Sequence, residues 1–240
     1  MENEKKSTSP THLQCYYNDD PNIIEIGVDE AGRGPLFGRV YTSAVILPSN
    51  KKTFGSDSDT NFDYSKMKDS KKFHSKKKIT EVANYIKENA IAWSVAYMDE
   101  SVIDDVNILQ ATQMAMHKCI NEIIQKNNMS PENTLLLIDG NYFKPITLFD
   151  KIINKLVTFN YVCVEGGDNK YASIAAASIL AKVARDEYIQ ELCEEHPTLI
   201  EYYGLDSNKG YGAKKHLDGI KQHGITIWHR RTFGICKEYV

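Results

Sequence analysis

The run Ile26-Gly27-Val28-Asp29-Glu30-Ala31-Gly32-Arg33-Gly34-Pro35-Leu36 limits what this chain can fold into more than any other. Ile23, Ile24, Ile26 and Val28 are apolar and β-branched, the residues of a strand. That strand runs into two adjacent carboxylates and then a Gly-Arg-Gly-Pro turn. A second apolar run, residues 40–47, follows and stops at Pro48. Two strands joined by a glycine-rich turn form an antiparallel pair. The carboxylates therefore end a buried strand, beside backbone that glycine leaves accessible. Buried carboxylates are costly unless paired, hydrogen-bonded or bound to metal. Asp29 and Glu30 can cap a turn or hold a cation, and these residues alone leave both open. A dinucleotide loop is excluded. Its Gly-x-Gly-x-x-Gly needs glycine at position 37, where Phe37 stands, and then a helix, where a strand follows.

The rest of the chain alternates strand and helix signals. Residues 1–21 lack periodicity and are rich in Ser, Thr, Asn, Asp and Lys, which predicts a disordered tail. Residues 48–72 read as a long surface loop ending in Asp69-Ser70-Lys71-Lys72. A helix is expected from Ser75, with Ile79, Val82, Ala83 and Ile86 on one face, then a strand at 91–97. Residues 106–126 are strongly amphipathic at helical spacing. Residues 134–140 form a continuous apolar run, a strand buried on both faces. A short helix at 149–156, a fifth strand at 158–164 and a long helix at 170–194 complete the pattern. The long helix is rich in small residues between Ile174 and Ala181, so a neighbour can approach closely. Pro197 opens a C-terminal segment carrying Lys209-Gly210-Tyr211-Gly212, a short helix at 213–223 and His229-Arg230-Arg231-Thr232-Phe233. The order predicts an α/β fold in one domain, residues 22–195, with 196–240 packed on it.

Composition narrows the function classes. With 42% hydrophobic and 25% charged residues, the 240-residue chain is an ordinary globular protein. Its net charge of −3 does not announce a nucleic-acid binder, so any such surface must be local. Five scattered cysteines without a Cys-x-x-Cys suggest free thiols in a reducing compartment. No apolar run reaches membrane-spanning length, and residues 1–11 carry no apolar signal core. These features predict a soluble, cytoplasmic protein.

Asp29 and Asp139 each end an apolar strand and each meet glycine close by. If those strands are parallel neighbours, the two carboxylates meet at the carboxyl edge of the sheet, where ligands bind in open α/β sheets. Asp168 precedes the long helix, where a plain N-cap would also stand. Asp186 lies over four helical turns further on and reads as an ion-pair partner. His216, His223 and His229 lack a Cys or Glu signature and read as structural.

The 26–36 run resembles the signature of type 2 ribonucleases H, the ribonuclease HII family: G-[IV]-D-E-x-G-R-G-P. Further landmarks follow in order to residue 236: Asp-Ser-Lys-Lys at 69–72, Lys-Gly-Tyr at 209–211, and His-Arg-x-[ST]-Phe at 229–233. The resemblance implies the ribonuclease H-like fold, a five-stranded mixed sheet flanked by helices with a helical C-terminal segment. It implies a catalytic and metal-binding quartet of Asp29, Glu30, Asp139 and Asp168. Clustered carboxylates repel unless cations neutralise them, and hard oxygen ligands suit a pair of Mg²⁺ or Mn²⁺ ions. Neighbours on a strand point to opposite faces, so Asp29 and Glu30 share a metal site only if the pleat breaks between them. Gly32, Arg33 and Gly34 would meet the ribose 2′-hydroxyl, Tyr211 would stack on the junction sugar, and Lys71 would contact phosphate. Lys209, Lys214, Lys215, Arg230 and Arg231 could extend a basic surface.

The implied activity is a metal-dependent endoribonuclease. It would cut the RNA strand of RNA–DNA hybrids and cut at ribonucleotides embedded in duplex DNA, as in ribonucleotide excision during replication and repair. Its products would carry 3′-hydroxyl and 5′-phosphate ends. A monomer is expected, and no clamp-binding Q-x-x-[IL]-x-x-F-F motif is present. The rivals are another nuclease of the same fold and a catalytically silent hybrid-binding module. The chain departs from the family pattern at Phe37, Arg39, Gly167, Asn208 and Gly212-Ala213, which touches individual phosphate contacts rather than the quartet.

Overall fold

The structure, a computed structural model, describes residues 13–49, 62–150 and 154–240. Its centre is a five-stranded sheet in the order β3–β2–β1–β4–β7. The strands are β1 (Ile24–Ala31), β2 (Val40–Ile46), β3 (Ala92–Met98), β4 (Thr134–Asp139) and β7 (Asn160–Val164). β1–β2 and β2–β3 pair antiparallel, while β1–β4 and β4–β7 pair parallel. The mixed sheet expected from the sequence is therefore present. Every residue of β2 is buried, as befits a strand covered on both faces.

The helix α2 (Glu100–Lys126) covers one face. Its Met116, Cys119, Ile120 and Ile123 pack on Ile26, Val28, Ala44, Leu136 and Ile138. The other face carries α1 (Lys76–Asn89) and α3 (Ala172–Glu195). α2 starts six residues before the expected 106 and breaks at Asn107, whose φ is 70°. The Asn107 side chain accepts from the amides of Leu109 and Gln110 and so caps the second segment.

α3 rests on β1 at Gly27. A Cβ built there would lie 2.2 Å from the Ser173 carbonyl carbon, so only glycine permits the approach. The small residues of α3 follow from the same closeness: Ala175, Ala176 and Ala177 are fully buried. Gly27→Ala should destabilise the fold by about 3 kcal/mol or more, because backbone rather than a movable side chain blocks the methyl. An unchanged urea midpoint would show that α3 can slide away.

Two expectations are corrected. In place of the expected helix at 149–156, β5 (Thr147–Asp150) and β6 (Lys155–Thr158) pair antiparallel as a separate two-stranded sheet, and residues 151–153 lie outside the described residues. The Thr147 and Thr158 hydroxyls meet across it at 2.8 Å. Phe149 and Leu156 are exposed, so no apolar face was there to favour a helix. The polar tail is also not free throughout. Gln14 donates to the Lys170 carbonyl at 2.8 Å and accepts from the Ala172 amide at 2.9 Å. Leu13 packs on the α1–α3 core, and the Tyr17 ring sits 5.4 Å from that of Tyr171. Backbone pairing needs no hydrophobic period, which is why composition missed it. Residues 1–12 of that expected tail, and 50–61 of the expected loop, lie outside the described residues.

The C-terminal segment adds α4 (Thr198–Tyr203), α5 (Leu205–Asn208) and α6 (Lys214–His223). Leu199, Tyr203, Leu205, Ile220 and Cys236 share one apolar cluster with Phe37, Tyr188 and Ile189. All five cysteines are free. Among the described residues no helix is long and apolar enough to cross a membrane.

Candidate active site

The parallel register of β1 and β4 ends with Val28 opposite Ile138. Asp29 and Asp139 are the next residues, so they come level at the carboxyl edge of the sheet. Both lie on the α3 face: Gly27 and Leu137, two residues earlier, abut Ser173 and Ile174, while Val28 and Ile138 face α2. A 3-10 turn, Gly167–Asn169, precedes α3 and brings Asp168 to the same place. The Gly167 amide donates to Asp139 Oδ1 at 2.6 Å. Lys71, from the turn Ser70–Lys72, sends Nζ to 3.6 Å from Asp168 Oδ2.

Glu30 is placed differently. The register of β1 with β2 continues unbroken through Ala31, so Glu30 leaves the strand on the face opposite Asp29, yet at the strand end its carboxylate still feels Asp139 and Lys71. Arg33 Nη1 holds its carboxylate at 3.2 Å. It reaches the cluster only from the edge, although its charge is felt at Asp29.

Burial dominates the electrostatics. It pushes Asp29 well above the usual carboxylate range, and the charges of Glu30 and Asp139 push it further. Hydrogen bonds from the Ser178 hydroxyl and the Glu30 amide only partly offset this. Asp168 is raised by burial, then by Asp69 and Asp139, with Lys71 opposing. Glu30 is raised by burial against the pull of Arg33. Burial disfavours the Lys71 charge, but Asp168, Asp69, Asp29 and Asp139 together outweigh it and raise its pKa.

Among the described residues, no three acidic, His or Cys side chains converge into a ready-made metal cage. Each carboxylate has turned to a local donor instead: Asp29 to the Glu30 amide at 2.6 Å, Asp139 to Gly167, Glu30 to Arg33. Mutual repulsion favours that spreading. Asp168 Oδ2 nevertheless remains buried without a hydrogen bond, since Lys71 stands too far off to donate. An all-oxygen set in which Asp29 and Asp168 are buried and one Asp168 oxygen is orphaned fits a hard divalent cation.

Several supporting residues were not singled out from the sequence. Ser178 sits inside the small-residue run of α3, and its hydroxyl meets that of Ser70 at 3.0 Å. Asn169 bridges Asp69 Oδ2 at 3.2 Å and Asp168 Oδ1 at 3.1 Å. A serine in an alanine run and an Asp ahead of Ser-Lys-Lys are weak signals by themselves.

The turn after Asp29 and Glu30 meets the C-terminal segment. Gly32 has φ +91°, and a Cβ there would lie 2.3 Å from Arg185 Nε. Gly34 faces the ring of Tyr211, whose Cε1 would stand 3.6 Å from a Cβ on Gly34. Tyr211 is 49% exposed, with the Arg185 guanidinium 5.7 Å from its ring centre. The structure thus gathers Asp29, Asp139, Asp168 and Lys71, sets Glu30 and Arg33 at the rim, and places Gly32, Gly34 and Tyr211 beside them. Asp186 stands apart, paired with Lys182 at 2.8 Å. His216 and His229 are buried against each other, and His223 stacks on Tyr202. Arg230 does not join a basic surface: it is fully buried, its donors taken by backbone carbonyls. Two departures from the family pattern have local reasons. A side chain at Gly167 would crowd Ile174 Cδ1 at 2.5 Å, and Asn208 caps the following turn by accepting from the Gly210 amide at 2.8 Å.

A family model for ribonuclease HII matches residues 26–236. The chain belongs to the ribonuclease HII family. It is a type 2 ribonuclease H, a hydrolase of the endonuclease class. Ribonuclease HII of Bacteroides thetaiotaomicron is 40% identical over 223 residues, covering 93% of this chain and 94% of that one. The Parabacteroides distasonis enzyme is 43% identical over 215 residues, covering 90% and 92%. Among solved structures, the PCNA:RNase HII complex from Archaeoglobus fulgidus aligns at a TM-score of 0.61 and 22% identity, covering 88% of this chain and 96% of that one. Bst-RNase HIII in complex with Mn²⁺ aligns at 0.59 and 20% identity, covering 91% and 69%. Both share the ribonuclease H-like fold of this ribonuclease HII.

Proposed function

We propose that this ribonuclease HII cuts the RNA strand of RNA–DNA hybrids and also cuts at single ribonucleotides in duplex DNA. The products carry 3′-hydroxyl and 5′-phosphate ends, and the protein works as a cytoplasmic monomer. One observation carries this reading: Asp29 and Glu30 run straight into the Gly32–Gly34 turn, with Tyr211 facing that turn. Whatever sugar the turn touches therefore lies next to the bond that the carboxylates serve.

Asp29, Asp139 and Asp168, with Glu30 from the rim, would hold two Mg²⁺ or Mn²⁺ ions. When bound, such ions activate water and stabilise charge on a phosphodiester. The chain's own groups do the rest. Ser178 and the Glu30 amide orient Asp29. Lys71 faces the acidic cluster with most of its side chain exposed, where it can meet a phosphate. Gly32 and Gly34 present backbone to a 2′-hydroxyl, which is both donor and acceptor and marks RNA. Tyr211 offers its ring to the neighbouring sugar.

The test is a labelled DNA duplex carrying one ribonucleotide, incubated with Mg²⁺, with Mn²⁺ and with chelator. A single cut at the ribonucleotide, with either metal only, is the expected result. Binding without cleavage under every metal condition would replace this reading with that of a silent binding module.

A further inference from the structure

Arg230 is fully buried, yet among the described residues no carboxylate pairs with it. All five of its side-chain N–H groups go to backbone carbonyls. Nε donates to Gly38 at 2.8 Å. Nη1 donates to Arg33 at 3.0 Å and Pro35 at 2.9 Å. Nη2 donates to Gly32 at 2.6 Å and Arg39 at 3.2 Å. A guanidinium has five donors in a rigid planar fork, so none is left over. The acceptors run from residue 32 to residue 39, the whole turn between β1 and β2. Burying the cation is costly: desolvation, then the nearby Arg185, pull its pKa down to about 9. Filling space alone would be done better by an apolar side chain.

The residue before it is tied to Tyr211, the ring that faces the same turn. The Thr226 amide donates to His229 Nδ1 at 2.9 Å, so that nitrogen is an acceptor. In a neutral ring the proton then sits on Nε2. It donates to His216 Nε2 at 3.1 Å. His216 must carry its own proton on Nδ1, which donates to the Tyr211 carbonyl at 2.8 Å. Burial lowers the pKa of both rings, His229 to about 3, so the relay holds one direction. Between the two anchors the Leu36 amide donates to the Gly210 carbonyl at 2.9 Å, and the Arg230 amide to the Leu36 carbonyl at 2.8 Å.

We propose that His229 and Arg230 are positioning residues that hold the Gly-Arg-Gly turn and Tyr211 side by side, in the one arrangement in which both can meet a single ribonucleotide. This rests on the functional reading above, in which that turn and that ring both contact the substrate at the ribonucleotide. Neither residue touches substrate. Arg230 shapes the turn from beneath, and His229 fixes the backbone of Tyr211 through His216. Lysine keeps the charge of Arg230 but has three donors and no fork. Leucine at 229 fills the space and ends the relay, whereas glutamine restores an N–H near the Nε2 position.

The test is equilibrium binding in chelator, at fixed salt, of two duplexes of one sequence: one all-DNA, one with a single ribonucleotide. The wild-type protein should prefer the ribonucleotide. In Arg230→Lys and His229→Leu that preference should fall about tenfold, the worth of a well-placed hydrogen bond. Affinity for the all-DNA duplex should stay within about twofold, because phosphate contacts lie elsewhere. His229→Gln should recover part of the preference. An unchanged preference in folded Arg230→Lys and His229→Leu overturns the proposal, and so does an equal loss on both duplexes. If one variant does not fold, the other decides; if neither folds, the pair serves stability and the proposal falls. A wild-type protein with no preference at all would instead remove the functional reading.

Discussion

Asp29→Asn is expected to abolish most cleavage while making the metal-free protein more stable. The two effects share one cause. Asp29 is almost fully buried, and its pKa is raised by desolvation, then by Glu30 and Asp139. The folded state therefore holds its proton more tightly than the unfolded chain does. Between the unfolded and folded pKa values the folded state binds more protons, so stability falls as pH rises through that window. The penalty therefore grows as pH rises above the unfolded value and is present in full once the folded carboxyl has ionised. Asparagine removes the charge but keeps an oxygen for the Glu30 amide that Asp29 now accepts at 2.6 Å. Each 1 kcal/mol recovered should raise Tm by about 2–4 °C for a chain of this size. Activity should fall by a factor on the order of 10²–10³ or more, the scale for losing one group that stabilises reaction charge. Binding to a hybrid should survive. Melting curves in chelator and in Mn²⁺ separate the effects: the variant should start higher and gain less from the ion. Near-normal turnover would remove Asp29 from the metal set. A lower Tm in chelator would show that its charge is not the cost assigned to it.

Tyr211→Ala should damage cleavage at an isolated ribonucleotide far more than cleavage of a long RNA–DNA hybrid. The ring is half exposed, lies over Gly34 and stands near Arg185, an arrangement that presents it to a ligand. Losing an aromatic stack costs about 1–3 kcal/mol, roughly tenfold to a hundredfold if felt in the transition state. A long hybrid offers many registers, so a poor fit at one sugar is averaged out. Initial rates on the two substrates at matched salt give the comparison, since phosphate contacts are common to both. An equal loss on both would make Tyr211 a packing residue and leave the sugar to the Gly32–Gly34 turn alone.

The sheet was legible because its strands end where their chemistry begins. Apolar runs stopping at Asp29 and Asp139 put both carboxylates at one edge once β1 and β4 were parallel neighbours, as they are. Periodicity likewise placed α2 and α3, whose apolar faces meet the sheet directly. The reading failed where order comes from partners far along the chain. β5 and β6 pair with each other and leave Leu148, Phe149 and Leu156 exposed, so an eight-residue apolar pattern could not separate helix from strand. Gln14 is ordered by the backbone around Tyr171, which no local composition reveals. The same holds within the site. Glu30 follows Asp29 in sequence, but an unbroken pleat turns it to the other side. Arg230 reads as a surface cation beside Arg231, and only the carbonyls of a distant turn show it to be interior.

That distance sets an order of assembly during synthesis. The five carbonyls that Arg230 binds lie 191 to 198 positions before it in the chain. At about 5–20 residues per second, a ribosome leaves the turn without its anchor for roughly ten to forty seconds. The sheet needs no residue beyond β7, so its acidic edge can form while the turn beside it is still loose. Contacts of such long sequence separation close late, after the loop entropy has been spent. The turn between β1 and β2 is thus among the first segments made and among the last to take its final shape.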